Sequence, residues 1–100
     1  MNIIFTRNAL INIKNYYERI KNYAGLQSAR KFRKKIFDRV KMLETFPRAG
    51  EKSEKYSSQN IEIRFLTQEK YRIYYQLKEQ TIFIIRVILS SQEFEGIDTI

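Results

Sequence analysis

The hydrophobic period changes once along this chain, and that change divides the fold into two layers. From Arg7 to about Thr45 apolar residues recur at steps of three and four, the spacing of one helical face. From Ile61 to Leu89 they alternate or run together, as half-buried and doubly covered strands do. A chain written this way must stack a helical layer on a sheet.

The helical half has its own punctuation. Ile3 to Phe5 is β-rich and reads as a short strand, and Thr6 is placed to cap a helix over Arg7–Ala24. Leu10, Ile13, Tyr17, Ile20 and Ala24 would share its apolar face, with Gly25 as a left-handed C-cap. Ser28 is the candidate cap of a second helix from Ala29 to about Thr45, stopped by Pro47. Its apolar face would be Ala29, Phe32, Ile36, Val40 and Leu43, with Phe37 beside it. Between Arg30 and Glu44 lie seven basic residues and only two acidic ones, so the outer face is a cationic stripe. So short a connection around Gly25 predicts an antiparallel helical hairpin.

Arg48 to Asn60 is polar and aperiodic, and reads as a long loop. Beyond it Ile61, Ile63 and Phe65 alternate with Glu62, Arg64 and Leu66. Tyr71, Ile73, Tyr75 and Leu77 alternate with Arg72, Tyr74 and Gln76. Ile82 to Leu89 is apolar except for Arg86, as a central strand would be. Connectors at Thr67–Lys70 and Lys78–Gln80 are of hairpin length and predict an antiparallel meander. The expected class is α+β, a helical hairpin on one face of a small antiparallel sheet, in the order β-α-α-β-β-β. Residues 1–92 would form the one domain and 93–100 a C-terminal tail. On this parity Tyr71 and Tyr75 belong to the core, while Arg64, Arg72 and Tyr74, or their alternates, mark the opposite face.

Composition narrows the chemistry. The 100 residues contain no Cys and no His, which removes thiol and imidazole catalysis and zinc sites built on either. Three isolated glycines cannot build a phosphate-cradling loop. No metal site and no cofactor are expected, and any chemistry must use Arg, Lys, Tyr, Ser or a carboxylate. A net charge of +8 favours a polyanionic or acidic partner. Near the start the apolar run is only three residues long, so a cytoplasmic protein with no membrane association is expected.

Several segments, in order, resemble the RelE/ParE toxin superfamily of type II toxin–antitoxin systems. Thr6-Arg7-Asn8-Ala9 is similar to its "x-x-x-A" helix start, and Leu43 to Gly50 (LETFPRAG) to its "L-x-x-F-P-x-x-G" stretch. Arg64-Phe65-Leu66 with Tyr71 to Tyr75 (YRIYY) resembles the "R-x-L…Y-R-I-x-Y" hairpin. Ile84 to Leu89 (IIRVIL) resembles the last strand "I-L-R-V-L-H", with Leu89 where His is usual. The likeness runs from residue 3 to about residue 90.

The resemblance implies a toxin neutralised by a cognate antitoxin, with a role in plasmid stabilisation. One class within the superfamily, ParE-like, poisons DNA gyrase; the other, RelE-like, cuts mRNA on the ribosome. For the nuclease the resemblance implies Arg72 on phosphate, with Arg64, Lys70 and Glu93 in support. RNA cleavage also needs an acid and a base, and the last-strand exit, Leu89 to Phe94 (LSSQEF), carries no Arg, His or Tyr to serve. That departure favours the ParE-like, non-enzymatic reading, with ribosome-dependent endoribonuclease as the alternative and an inactive member as a third. The expected target-binding residues are Arg64, Arg72, Tyr74 and Arg86. Leu10, Ile13, Tyr17, Arg33, Phe37 and Arg72 are the expected antitoxin contacts, in a homodimer or a toxin–antitoxin hetero-oligomer.

Overall fold

The computed structural model describes residues 1–92. Its elements are β1 (Asn2–Phe5), α1 (Arg7–Ala24), α2 (Leu26–Lys41), a single 3-10 turn (Met42–Glu44), β2 (Glu51–Lys52), β3 (Glu62–Gln68), β4 (Tyr71–Lys78) and β5 (Thr81–Leu89). The two helices pack as a hairpin on one face of a five-stranded sheet ordered β1-β5-β4-β3-β2. The α+β class stands, and β3, β4 and β5 are the expected antiparallel meander. The sheet as a whole is mixed, because β1 joins β5 in parallel, from Asn2 opposite Thr81 to Phe5 opposite Ile84. The intervening helices and meander supply the long crossover that parallel pairing requires. The segment 93–100, expected as a tail, lies outside the described residues.

Thr6 caps α1 as the sequence predicts, its Oγ1 accepting the Ala9 N–H at 3.2 Å while donating to the Ile84 carbonyl at 2.9 Å. One hydroxyl thus starts the helix and ties it to β5. Gly25, at φ 97°, closes α1 by donating to the Lys21 carbonyl, a backbone region open to few residues besides glycine. Its own carbonyl accepts the Ala29 N–H at 3.2 Å, so α2 begins at Leu26. Ser28 therefore lies inside the helix and is not its cap. At the far end α2 tightens into the 3-10 turn after Lys41 and does not continue as α-helix to Thr45.

The buried stripe of α2 is the predicted one: Ala29, Phe32, Ile36 and Val40, with Leu43 following in the turn. That of α1 is rotated. Ala9, Ile13, Tyr16 and Ile20 are buried, whereas Leu10 is 48% exposed, Tyr17 half-buried and Ala24 exposed. Ile13 and Ile20 belong to both stripes, so periodicity alone permits either. Contacts with β5 decide between them, because Asn12 and Tyr16 reach its backbone. Asn12 Oδ1 accepts the Val87 N–H at 3.1 Å, and Tyr16 Oη accepts the Leu89 N–H at 3.2 Å.

On the helix side the core joins these stripes to Leu66, Tyr71, Ile73, Tyr75, Ile82, Ile84 and Val87. Tyr71 sits between Tyr16 and Phe32, with ring centroids at 5.1 and 4.9 Å. Each such side chain contributes about 1.5–3 kcal/mol on burial. A second, smaller cluster of Ile63, Tyr74 and Ile85 lies on the opposite face, partly covered by Tyr56, Ile61, Phe65 and Phe83. The polar stretch after Pro47 is consequently not all loop. It forms the two-residue β2 against β3 and lays Tyr56 edge-on to Tyr74 at 5.5 Å. A bulge in β5 sets Tyr74 opposite Arg86 and Tyr75 opposite Ile84, leaving Ile85 as the extra residue.

The turns are tighter than expected. β3 and β4 are joined by Glu69–Lys70 alone, and β4 and β5 by Glu79–Gln80. Glu69 and Glu79 take φ of 54° and 56°.

Candidate target-binding face

The pleat of β4 sends Tyr71, Ile73 and Tyr75 to the helices and Arg72, Tyr74 and Gln76 to the other face. There the chain between β2 and β3 folds back and encloses a cleft of about 380 Å³. Its lining includes Lys52, Ser53, Lys55, Tyr56, Phe65 and Arg72, with Ser90 and Gln92 at the exit of β5 and Glu51 and Glu54 tempering the charge. Arg72 is half-buried, its guanidinium carbon 4.4 Å from the Phe65 ring centroid and its Nη1 donating to Tyr74 Oη at 3.4 Å. Stacking of this kind holds an arginine in place for about 0.5–1 kcal/mol. Among the described residues no carboxylate pairs with Arg72.

The other expected target residues fare differently. Arg86 lies on this face, across the ladder from Tyr74. Tyr74 shares the face but is only 5% exposed, because Tyr56 and Phe65 close over it. It forms the floor of the cleft and is not a surface contact. Arg64 belongs to neither, since it follows the parity of the buried Leu66 and points to the helix side. Its Nε donates to Glu62 Oε2 at 2.6 Å and its Nη1 to the Gly50 carbonyl at 2.7 Å. Arg48 also pairs with Glu62. This clamp fastens the start of β2 to β3 and commits Arg64 Nε and Nη1 to partners within the fold.

Arg72, Arg64 and Lys70, the described members of the set expected for RNA cleavage, are not one constellation. Arg72 is on the open face, Arg64 is locked on the other, and Lys70 sits in the β3–β4 turn over the Tyr71 ring. Glu93 lies outside the described residues. Lys52 and Lys55, which do join Arg72, were missed because nothing in an aperiodic loop signals where it folds back. Among the described residues no three carboxylates gather as a metal site, and no helix is long and apolar enough to cross a membrane.

The expected antitoxin contacts also divide. Tyr17 and Arg33 meet across the hairpin, the guanidinium carbon 4.8 Å from the ring centroid. Phe37 is partly exposed against Phe5, at 4.8 Å between centroids, and Leu10 is exposed as well. Ile13, however, is a core residue at 4% exposure, and Arg72 lies across the sheet from the hairpin.

Among the described residues three groups titrate away from their ordinary range. Burial raises Tyr75, outweighing the hydrogen bond that its hydroxyl accepts from the Gly50 N–H at 2.9 Å. Burial also raises Tyr71, helped by the neighbouring Tyr23 and Tyr16. For Glu62 burial pushes upward, but hydrogen bonds and charge from Arg64 and Arg48 win and hold the carboxyl low.

The sequence matches the model of the ParE toxin of the type II toxin-antitoxin system, parDE, over residues 3–94. The chain belongs to the ParE toxin family. Among solved structures it is similar to a chain of the chromosomal ParDE TA system from P. aeruginosa, at 26% identity and a TM-score of 0.75. That likeness covers 89% of this chain and 95% of the other. No curated protein matches the sequence significantly. The ParE-like stretch from Leu43 to Gly50 now has a physical reading. Pro47 follows the 3-10 turn, and Gly50 is buried where a Cβ would stand 2.7 Å from both the Phe65 carbonyl oxygen and Tyr75 Oη.

Proposed function

We propose that this chain is the toxin half of a toxin–antitoxin pair, that it inhibits DNA gyrase in the cytoplasm, and that a cognate antitoxin holds it inactive. Arg72 carries the reading: among the described residues no carboxylate pairs with it, and it stands over the Phe65 ring at a cleft that also presents Lys52 and Lys55. Such a face suits a charged macromolecular surface. A nuclease would need an acid and a base beside the scissile phosphate, and of the cations expected to help there Arg64 and Lys70 stand away from Arg72. Arg64 is already committed to Glu62 and a backbone carbonyl. The outer hairpin, with Tyr17, Arg33, Phe37 and Leu10, offers the apolar and cationic ground for an antitoxin segment.

The test is a DNA supercoiling assay with purified gyrase. The wild type is expected to block supercoiling and accumulate cleaved DNA complexes, and Arg72→Glu to need at least tenfold more protein for the same effect. If gyrase is untouched while translating ribosomes show mRNA cuts that Arg72→Ala abolishes, the ribosomal reading replaces this one.

A further inference from the structure

A second concavity, of about 280 Å³, lies between the tip of the helical hairpin and the β3–β4 turn. It is separate from both the open-face cleft and the outer hairpin. Its floor is apolar, made by Ile20, Phe32, Ile36 and Tyr71, all buried. Tyr23, 66% exposed, stands at one side. Lys31, Lys35 and Lys70 stand around the rim. Glu69 is the one carboxylate of the lining, and Lys35 already engages it at 2.5 Å.

We propose that this groove docks an acidic peptide segment of a protein partner through a single apolar anchor side chain. Three observations select that chemistry. The concavity, about 280 Å³ over a floor of buried apolar side chains, has room for one large apolar side chain. The rim has three cations against one carboxylate, and that carboxylate belongs to an exposed pair worth about 0–1 kcal/mol. An incoming acid can replace Glu69 at little cost. The cations are all lysines, flexible point charges that can each follow a carboxylate, and the buried apolar floor between them takes an apolar side chain that a phosphate backbone does not carry. A peptide therefore fits better than a nucleic-acid backbone. The site is independent of the gyrase reading, and either can fail alone.

The experiment is an NMR titration of the isotope-labelled full chain with the capped peptide Asp-Glu-Phe-Asp-Glu. Amide shifts are expected at Ser28, Lys31, Lys35, Gln68 and Lys70. Affinity should fall at least fivefold when the peptide's Phe becomes Ala, and at least tenfold in Lys31→Glu/Lys35→Glu. Both lysines are exposed, and a thermal melt of the variant confirms its fold. Shifts centred on Lys52, Lys55 and Arg72, or affinity indifferent to the Phe, would overturn the proposal. So would a single-stranded oligonucleotide that binds the groove more tightly than the peptide.

Discussion

Gly50 shows how one residue type can be dictated by its neighbours. An added Cβ would meet the Phe65 carbonyl oxygen and the Tyr75 hydroxyl at 2.7 Å each, and Tyr75 is fully buried, so it cannot swing aside. Gly50→Ala should destabilise the fold by about 1–3 kcal/mol, the range for overpacking a filled core. Urea denaturation followed by circular dichroism would measure it; an unchanged midpoint would mean that β2 moves freely. At this scale the sequence was legible where a residue acts on its immediate neighbours. Thr6 and Gly25 were readable as caps because capping is settled within one helical turn. The choice of Tyr16 over Tyr17 was not, because it depends on a backbone N–H 73 positions away. Tyr74 was misjudged for a related reason. Parity sets its face, but only the return of Tyr56 buries it.

Between elements, the decisive contact is the one by which α1 covers the free edge of β5. β1 pairs only as far as Ile84, so the N–H groups of Val87 and Leu89 would face outward beyond it. Asn12 and Tyr16, one helical turn apart, accept one each, and the exposed strand edge is closed. Asn12→Ala leaves the Val87 N–H without its acceptor and should cost about 1–3 kcal/mol. Faster hydrogen exchange at Val87 than at Ile73 would locate the loss. The clamp between β3 and the start of β2 adds a pH dependence. Glu62 has its carboxyl depressed in the fold by Arg64 and Arg48 against the opposing effect of burial. A lowered folded-state value means stability that is fully present above the ordinary glutamate value of 4.5 and is lost as pH falls through the folded value. The stability gap between wild type and Glu62→Gln should thus be constant near neutrality and close in acid, as thermal melts across that range would record. The elements themselves were readable from their periods. β2 was not, since two residues show no period, and Arg64 was misplaced because Ile61, Ile63 and Phe65 look like the core parity of β3 whereas Leu66, opposite Ile73, marks the helix side.

For the whole molecule, the consequence is that two charged faces lie on opposite sides of one sheet. Arg72 with Lys52 and Lys55 faces away from the helices, while Tyr17 and Arg33 lie outside the hairpin. The sequence already put Arg72 on the sheet face away from the helices, yet counted it among the antitoxin contacts together with Tyr17 and Arg33 of the hairpin. If the open face meets the target and the hairpin meets the antitoxin, the two activities must separate by mutation. Arg72→Glu should weaken gyrase inhibition at least tenfold while leaving antitoxin affinity within about threefold, since sites that share no contacts combine nearly additively. Tyr17→Ala/Arg33→Glu should do the reverse. Calorimetry with the antitoxin and the supercoiling assay read the two arms independently. Long-range charge could blur the result, because a +8 chain attracts any acidic partner. Working at physiological salt, where the screening length is about 8 Å, confines each charge reversal to its own face. Equal losses in both assays from either variant would mean that one surface serves both partners, and the division of the molecule into target and antitoxin faces would have to be abandoned.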